Sequence, residues 1–487
     1  MRLRKAEILA DDELDAIYLT ALSILKDVGV QVLHDETLKL LRENGCEVGE
    51  NRLVFFPEGI VKECLNAKPS RVTLCGRDPE KDMNLGRGTW SYTGAILEPY
   101  VQEYPKRTFR TSTMKDVEKY TRILDYYDCV DWLHPAWASM DYGKWNAYAT
   151  YEANVCNTSK HCWVSPSDPA VIDPICELAS AMVGGREELS KRAIVSAGYA
   201  AVCPLIWNWD GCEVFKKTAQ YGMPTMIFAE DMMGVTGPVT LAGNLAQKVA
   251  EFLSGNVILQ LRNRGLPVIF GTVDQSFDML TGQVSYGSPA NFVMKLAFGQ
   301  IGRYLDVPTW NYGLPDSHIL DVQYAYEQSY GFLSAMLAGV DLVCGGTAGG
   351  AGWVTPIEGL PLLEEMVLSS RQMLEGIEVS PDTLALDLIK RTSARFEKGL
   401  RTVDYLSQAH TREWYKRKNP LRKYSVMTRT RRETWIKEGS KSYSERAHEI
   451  IEKILATHKP PALPEGIPKR IAEIRKKYGI AVEERTT

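Results

Sequence analysis

The sequence predicts an α/β chain: a (β/α)8 barrel, preceded by a small α/β region and followed by a helical extension. Three observations carry this. Short apolar runs recur at 90–98, 129–137, 160–165, 193–199, 224–230, 267–273, 308–313 and 341–345, and each precedes a segment of helical periodicity. Strands alternating with helices imply a parallel sheet, and eight such units between residues 89 and 360 match the size of a closed barrel. A doubly wound open sheet is the alternative, but no GxGxxG follows the first run.

Taken in order, residues 1–88 form the small leading region. Asp11 or Asp12 is the expected cap of a first helix, on which Leu14, Ile17, Ala21, Ile24 and Leu25 recur at helical spacing up to Gly29. A second helix is expected from His34-Asp35 to Asn44-Gly45. Strands are expected at 52–56 and 71–75, with a short helix between them. In the barrel, 89–360, Thr113 and Asp116 have the spacing of a capping box for a helix through Tyr127. Leu245, Val249, Phe252 and Leu253 mark a later helix, and Tyr326, Tyr330 and Leu333 another. Residues 361–487 are helical and heavily charged, with a proline-rich joint at 459–464. This extension reads either as a solvated cap packed on the barrel or as a docking or oligomer surface.

Composition narrows the function. The 487 residues carry a formal net charge of -4, without the basic excess that nucleic acid requires. No apolar run approaches the roughly 18 residues of a membrane span, and the N-terminus has no signal-peptide core. The ten cysteines are scattered without a CxxC pair, as expected of reduced thiols in a cytoplasmic protein. No protein-bound metal is expected. Zinc needs three or four ligands, and Cys344 has no second Cys or His near it in sequence.

Barrel sites are built at the C-terminal strand ends. Those ends carry Glu98, His134, Trp163, Tyr199, Glu230, Asp231, Asp274, Trp310, Tyr312, Asp316, His318, Asp321 and Trp353, and Glu327 follows Asp321 in the chain. Trp90 and Trp137 belong to the first two runs. The loops after strands five to eight hold one histidine and no evident lysine or arginine. Aromatics and carboxylates in that ratio suit a cation without hydrogen-bond donors, such as a quaternary ammonium, held on ring faces at roughly 0.5–2 kcal/mol each. Trp163, Tyr199, Trp310, Tyr312 and Trp353 are the expected rings, with Glu230, Asp274 or Glu327 nearby. Wall packing is the competing reading for any one of them, and the enrichment counts more than any member.

His318, Asp316 and Glu230 are the candidate acid/base residues. The glycine run 345–352, with Gly346, Gly349 and Gly350, lacks the Lys-Ser/Thr of a phosphate loop. It is either a close-packed loop or a place where a large flat ligand approaches. His134 and His161 read as buried structural histidines.

Several segments, in order, resemble the trimethylamine methyltransferase superfamily. They are GVTGPVTLAGNLA at 234–246, EFLSGNVILQ at 251–260, GLPVIFG at 265–271, DSHILDVQ at 316–323 with Glu327, MLAGVDL at 336–342, GIEV at 376–379, DTLALDL at 382–388 and AHT at 409–411. The resemblance implies a TIM barrel that passes a methyl group from a methylated amine to the cobalt of a corrinoid held by a separate protein. Founding members carry pyrrolysine, whereas this chain has only standard residues. It is therefore similar to the branch that demethylates quaternary amines such as glycine betaine. The resemblance puts His318 near the pyrrolysine position, and the loop GGTAGGAGW at 345–353 departs from the family pattern.

Overall fold

All eight apolar runs become strands of one closed barrel. The computed structural model describes residues 5–86, 91–135, 138–345, 349–397, 404–418 and 426–483. Trp90, Trp137 and Gly346 lie outside the described residues. The strands are β1 (Tyr92–Leu97), β2 (Trp132–Pro135), β3 (His161–Val164), β4 (Val195–Ala200), β5 (Thr225–Ala229), β6 (Val268–Thr272), β7 (Thr309–Gly313) and β8 (Leu342–Gly345). Each pairs in parallel with the next, and β8 closes on β1 through Val343↔Thr93. The helices that follow them are α1 (Met114–Tyr126), α2 (Asn146–Asn157), α3 (Ile172–Val183), α4 (Trp209–Tyr221), α5 (Leu241–Arg262), α6 (Pro289–Tyr304), α7 (Val322–Ala338) and α8 (Leu360–Glu375).

Side chains on a strand alternate between faces, and that parity sorts this barrel. Trp132, Trp163, Met226, Phe228, Ile269, Trp310, Tyr312, Leu342 and Cys344 form one buried inner cluster. The opposite faces pack on the helices in a second, larger core. The inner cluster is closed from below by the antiparallel strands Val72–Leu74 and Met83–Leu85, whose Val72, Leu74, Met83 and Leu85 join it. The leading region thus supplies the barrel floor.

That region also shares a sheet with the barrel. Val30–Val32 pairs with Leu53–Phe55 on one side and, in parallel, with Ile206–Trp207 from the β4–α4 loop on the other. The first helix, Asp11–Ser23, begins one residue earlier than expected. The N-cap position is Ala10, whose N–H donates to Glu13 of the first turn at 2.8 Å, and Asp11 and Asp12 sit inside the helix instead of at the cap position. The box at α1 forms as expected, with Thr113 N–H donating to Asp116 at 2.8 Å. In the extension, Tyr443–Thr457 packs along α1 and Ile467–Tyr478 along α3. Arg475 pairs with Glu152 at 2.6 Å and His458 with Asp125 at 2.8 Å. Among the described residues no helix is long and apolar enough to cross a membrane, and eight of the ten free cysteines are buried.

Candidate active site

A cavity of about 480 Å³ opens at the C-terminal strand ends. Its floor is aromatic. The His134 and Trp163 rings lie 3.9 Å apart between centroids, Trp163 and Phe228 5.5 Å, Phe228 and Trp310 5.0 Å, and Trp310 and Tyr312 5.0 Å, all edge to face. These rings come from β2, β3, β5 and β7, on inward-facing positions. Burial pushes His134 down to about 3, so the ring stays neutral. Among the described residues, the indole N–H groups of Trp163 and Trp310 and the Nδ1 of His134 have no hydrogen-bond partner. Tyr199 forms part of the wall, and Trp353, half exposed, stands at the rim.

Among the described residues, two carboxyls line this cavity. Glu98 follows β1, two residues on from inward-facing Ile96, and is 5% exposed. No ion pair reaches it among the described residues, and burial pushes it up to about 8. Glu230 follows β5 and shares the inward parity of Phe228. Burial pushes it up to about 7, with Lys248 pulling the other way. In a closed eight-stranded barrel β1 and β5 are opposite, so the two carboxyls face each other across the mouth. Tyr286 and Tyr312, with centroids 6.0 Å apart, also line it. Burial raises both phenols above their ordinary value, and the two glutamates raise them further. No lysine or arginine lines the cavity among the described residues.

The carboxylates one residue out of register have another fate. Asp231 points away from the cavity toward α5, where Lys248 Nζ lies 3.1 Å from it and both side chains are fully buried. The same ammonium donates to the carbonyls of Ala229, Asp231 and Val273 at 3.1–3.3 Å. Burial works against the Lys248 charge, but Asp231 and Asp274 hold its pKa above the ordinary value. Asp274 receives Asn311 Nδ2 at 2.7 Å and Lys295 Nζ from α6 at 3.4 Å. Cys203, Asp231 and Glu251 bring metal-capable atoms within 4.8 Å of one another, a grouping that already has the Lys248 ammonium against it.

The β7–α7 loop is a clamp. Asp316 accepts from Ser285 Oγ at 2.6 Å and from Tyr286 N at 2.7 Å, and so ties down the hairpin Gln275–Asp278/Gln283–Ser285. Glu327 accepts from Asp316 N at 2.7 Å and Ser317 N at 3.2 Å. His318 is exposed. Gly350 N donates to Ser317 O at 2.7 Å, and a Cβ on Gly349 would meet that carbonyl at 2.9 Å. Gly349 and Gly350 are thus close-packed on the clamp.

Of the expected site residues, the cavity brings together Trp163, Tyr199, Glu230, Trp310, Tyr312 and Trp353. It does not include Asp274, Asp316, His318, Glu327, Gly349 or Gly350. Sequence reasoning missed Phe228 and Tyr286; it placed Glu98 and His134 at strand ends but gave Glu98 no role and read His134 as a buried structural histidine. Strand parity was the available signal: Glu98 is in phase with Ile96, and His134 with Trp132. Tyr286 carried no such signal, because it sits at the return of a hairpin.

A closed (β/α)8 barrel with its cavity at the C-terminal mouth defines a barrel enzyme with its site where such enzymes keep it. Over residues 1–480 the chain matches the family model for trimethylamine methyltransferase (MTTB), and it belongs to that family. It is 29% identical over 486 residues to a trimethylamine methyltransferase of Desulfitobacterium hafniense, covering 97% of this chain and 95% of the relative. It is 26% identical over 491 residues to a glycine betaine methyltransferase of Desulfitobacterium hafniense, covering 99% of each. A solved monomethylamine methyltransferase of Methanosarcina barkeri aligns over 93% of this chain and 96% of that one, at 13% identity and a TM-score of 0.48. The chain is an enzyme of this methyltransferase family.

Proposed function

We propose that the protein takes a methyl group from a quaternary, or otherwise methylated, amine and delivers it to the Co(I) of a corrinoid held by a partner protein. The observation that carries this reading is the cavity itself: an aromatic floor with two carboxyls and no lysine or arginine among its described lining. Ring faces and carboxylates attract an alkylammonium and offer it no repelling charge.

When bound, the corrinoid supplies the nucleophile. This chain's residues do the rest. Trp163, Phe228, Trp310 and Tyr312 exclude water and orient the ammonium, which is catalysis by positioning. The N–CH₃ bond breaks with its electron pair left on nitrogen, so a quaternary substrate leaves as a neutral amine and needs no proton. Exposed apolar side chains stand on the same side of the barrel: Val202, Val239, Met279, Leu280 and Trp353 in the loops after β4, β5, β6 and β8, and Val322 at the start of α7; Val202 and Trp353 line the cavity. A tertiary amine is the second reading, favoured by Glu98, which holds a proton near neutral pH beside the rings. A lyase or hydrolase acting through His318 finds no support, because that side chain is outside the cavity.

The test mixes the enzyme with reduced cobalamin and a panel of betaines, carnitine and methylamines. Loss of the Co(I) absorbance with at least one amine is expected. No change with any of them overturns the proposal.

A further inference from the structure

Resting on the reading of the cavity as an ammonium site, we infer that it selects a cation with no carboxylate of its own, using Glu98 as counter-ion and Glu230 facing it across the mouth. A betaine brings a negative charge with its positive one, and burying that carboxylate demands a cationic partner. Among the described residues the lining offers none. The two buried ammoniums behind the strand ends are already committed, Lys248 to Asp231 at 3.1 Å and Lys295 to Asp274 at 3.4 Å. Glu98 is the converse case. It is 5% exposed, lines an aromatic cavity and has no ion-pair partner among the described residues. A ligand cation supplies the missing charge.

The same geometry makes binding proton-linked. The titratable groups facing Glu98 are His134 on β2, Glu230 after β5, Tyr286 on the hairpin, Tyr312 on β7 and Cys344 on β8. Burial pushes His134 down to about 3 and raises the two phenols and the thiol. These four stay neutral between pH 6 and 8, which leaves Glu98 and Glu230 to titrate, at about 8 and about 7. A cation favours the ionised carboxyl and so displaces its proton. Affinity therefore rises with pH, by up to about tenfold per unit for each proton displaced, and levels off above about pH 8.

The experiment is calorimetric titration of the full chain with tetramethylammonium, choline and glycine betaine, none of which titrates in this range. At pH 8 the first two are expected to bind at least about tenfold more tightly than glycine betaine. Glu98→Gln should weaken choline by about tenfold and flatten its pH dependence, without weakening glycine betaine. Glu98→Asp, which keeps the charge, should restore part of the loss. Glycine betaine binding as tightly as choline at pH 8, or choline binding unaltered in Glu98→Gln, overturns the inference. The readout involves no cobalt. Selective cation binding without methyl transfer would sink the proposed function alone, whereas preferred methyl transfer from a betaine would sink this inference alone.

Discussion

Glu230 and Asp231 are neighbours at the end of β5, and they have opposite lives. Glu230 faces the cavity with no ion pair among the described residues, and burial raises it to about 7. Asp231 faces outward, fully buried, against Lys248. The same contrast recurs after β1 and β6, where Glu98 lines the cavity with no ion pair among the described residues and Asp274 is held by Lys295 and Asn311. Parity along a strand thus divides one acidic ring into two. The outward members, neutralised by helix lysines, fix the positions of α5 and α6. The inward members have no ion-pair partner among the described residues, and burial holds protons on them to higher pH.

Breaking the outward ring should have the largest effect. Lys248→Met leaves Asp231 buried without its cation and should cost about 3–5 kcal/mol in urea unfolding. Breaking the inward ring should do the reverse. Glu98 has an ordinary pKa of about 4.3 and about 8 when folded. Between those values the folded chain holds a proton that the unfolded chain has lost. Stability therefore falls as pH rises through that window, and the loss is complete above about 8. Glu98→Gln should then be more stable than the parent at pH 9, by on the order of 2–4 kcal/mol, and equal to it near pH 4. A thermal melt at each pH checks this, and equal stabilities at pH 9 would count against an unpaired Glu98.

The clamp comes next. Asp316→Ala should cost about 1–3 kcal/mol and speed amide exchange at Tyr286 and Gly287, which donate to that carboxylate. His318→Ala should be the mildest change. Its side chain is exposed, so unfolding should shift by less than about 0.5 kcal/mol, with methyl transfer unchanged. A large loss of activity there would restore the residue to the site.

The strands were legible because each is an apolar run between a helix end and a polar loop, and the floor rings were legible because Trp163, Trp310 and Tyr312 lie on those runs. What stayed hidden was pairing. Glu230 and Asp274 look alike as letters. Only the approach of Lys295 from α6 and Lys248 from α5 tells which acid is spent on the scaffold. DSHILD reads as a catalytic motif. Its carboxylates prove to be hydrogen-bond acceptors for a hairpin and for the first turn of α7, and no local pattern reveals that the hairpin's Tyr286 returns to the cavity.

The strand pairing between Val30–Val32 and Ile206–Trp207 has a mechanical consequence. It ties the leading region to the loop that carries Ala201 and Val202 into the cavity wall, while Val72, Leu74, Met83 and Leu85 seal the base of the same barrel. A chain beginning at residue 89 would lose the floor below the site and the brace beside it together. The leading region therefore belongs to the catalytic body's cooperative unit, and one unfolding transition should carry both.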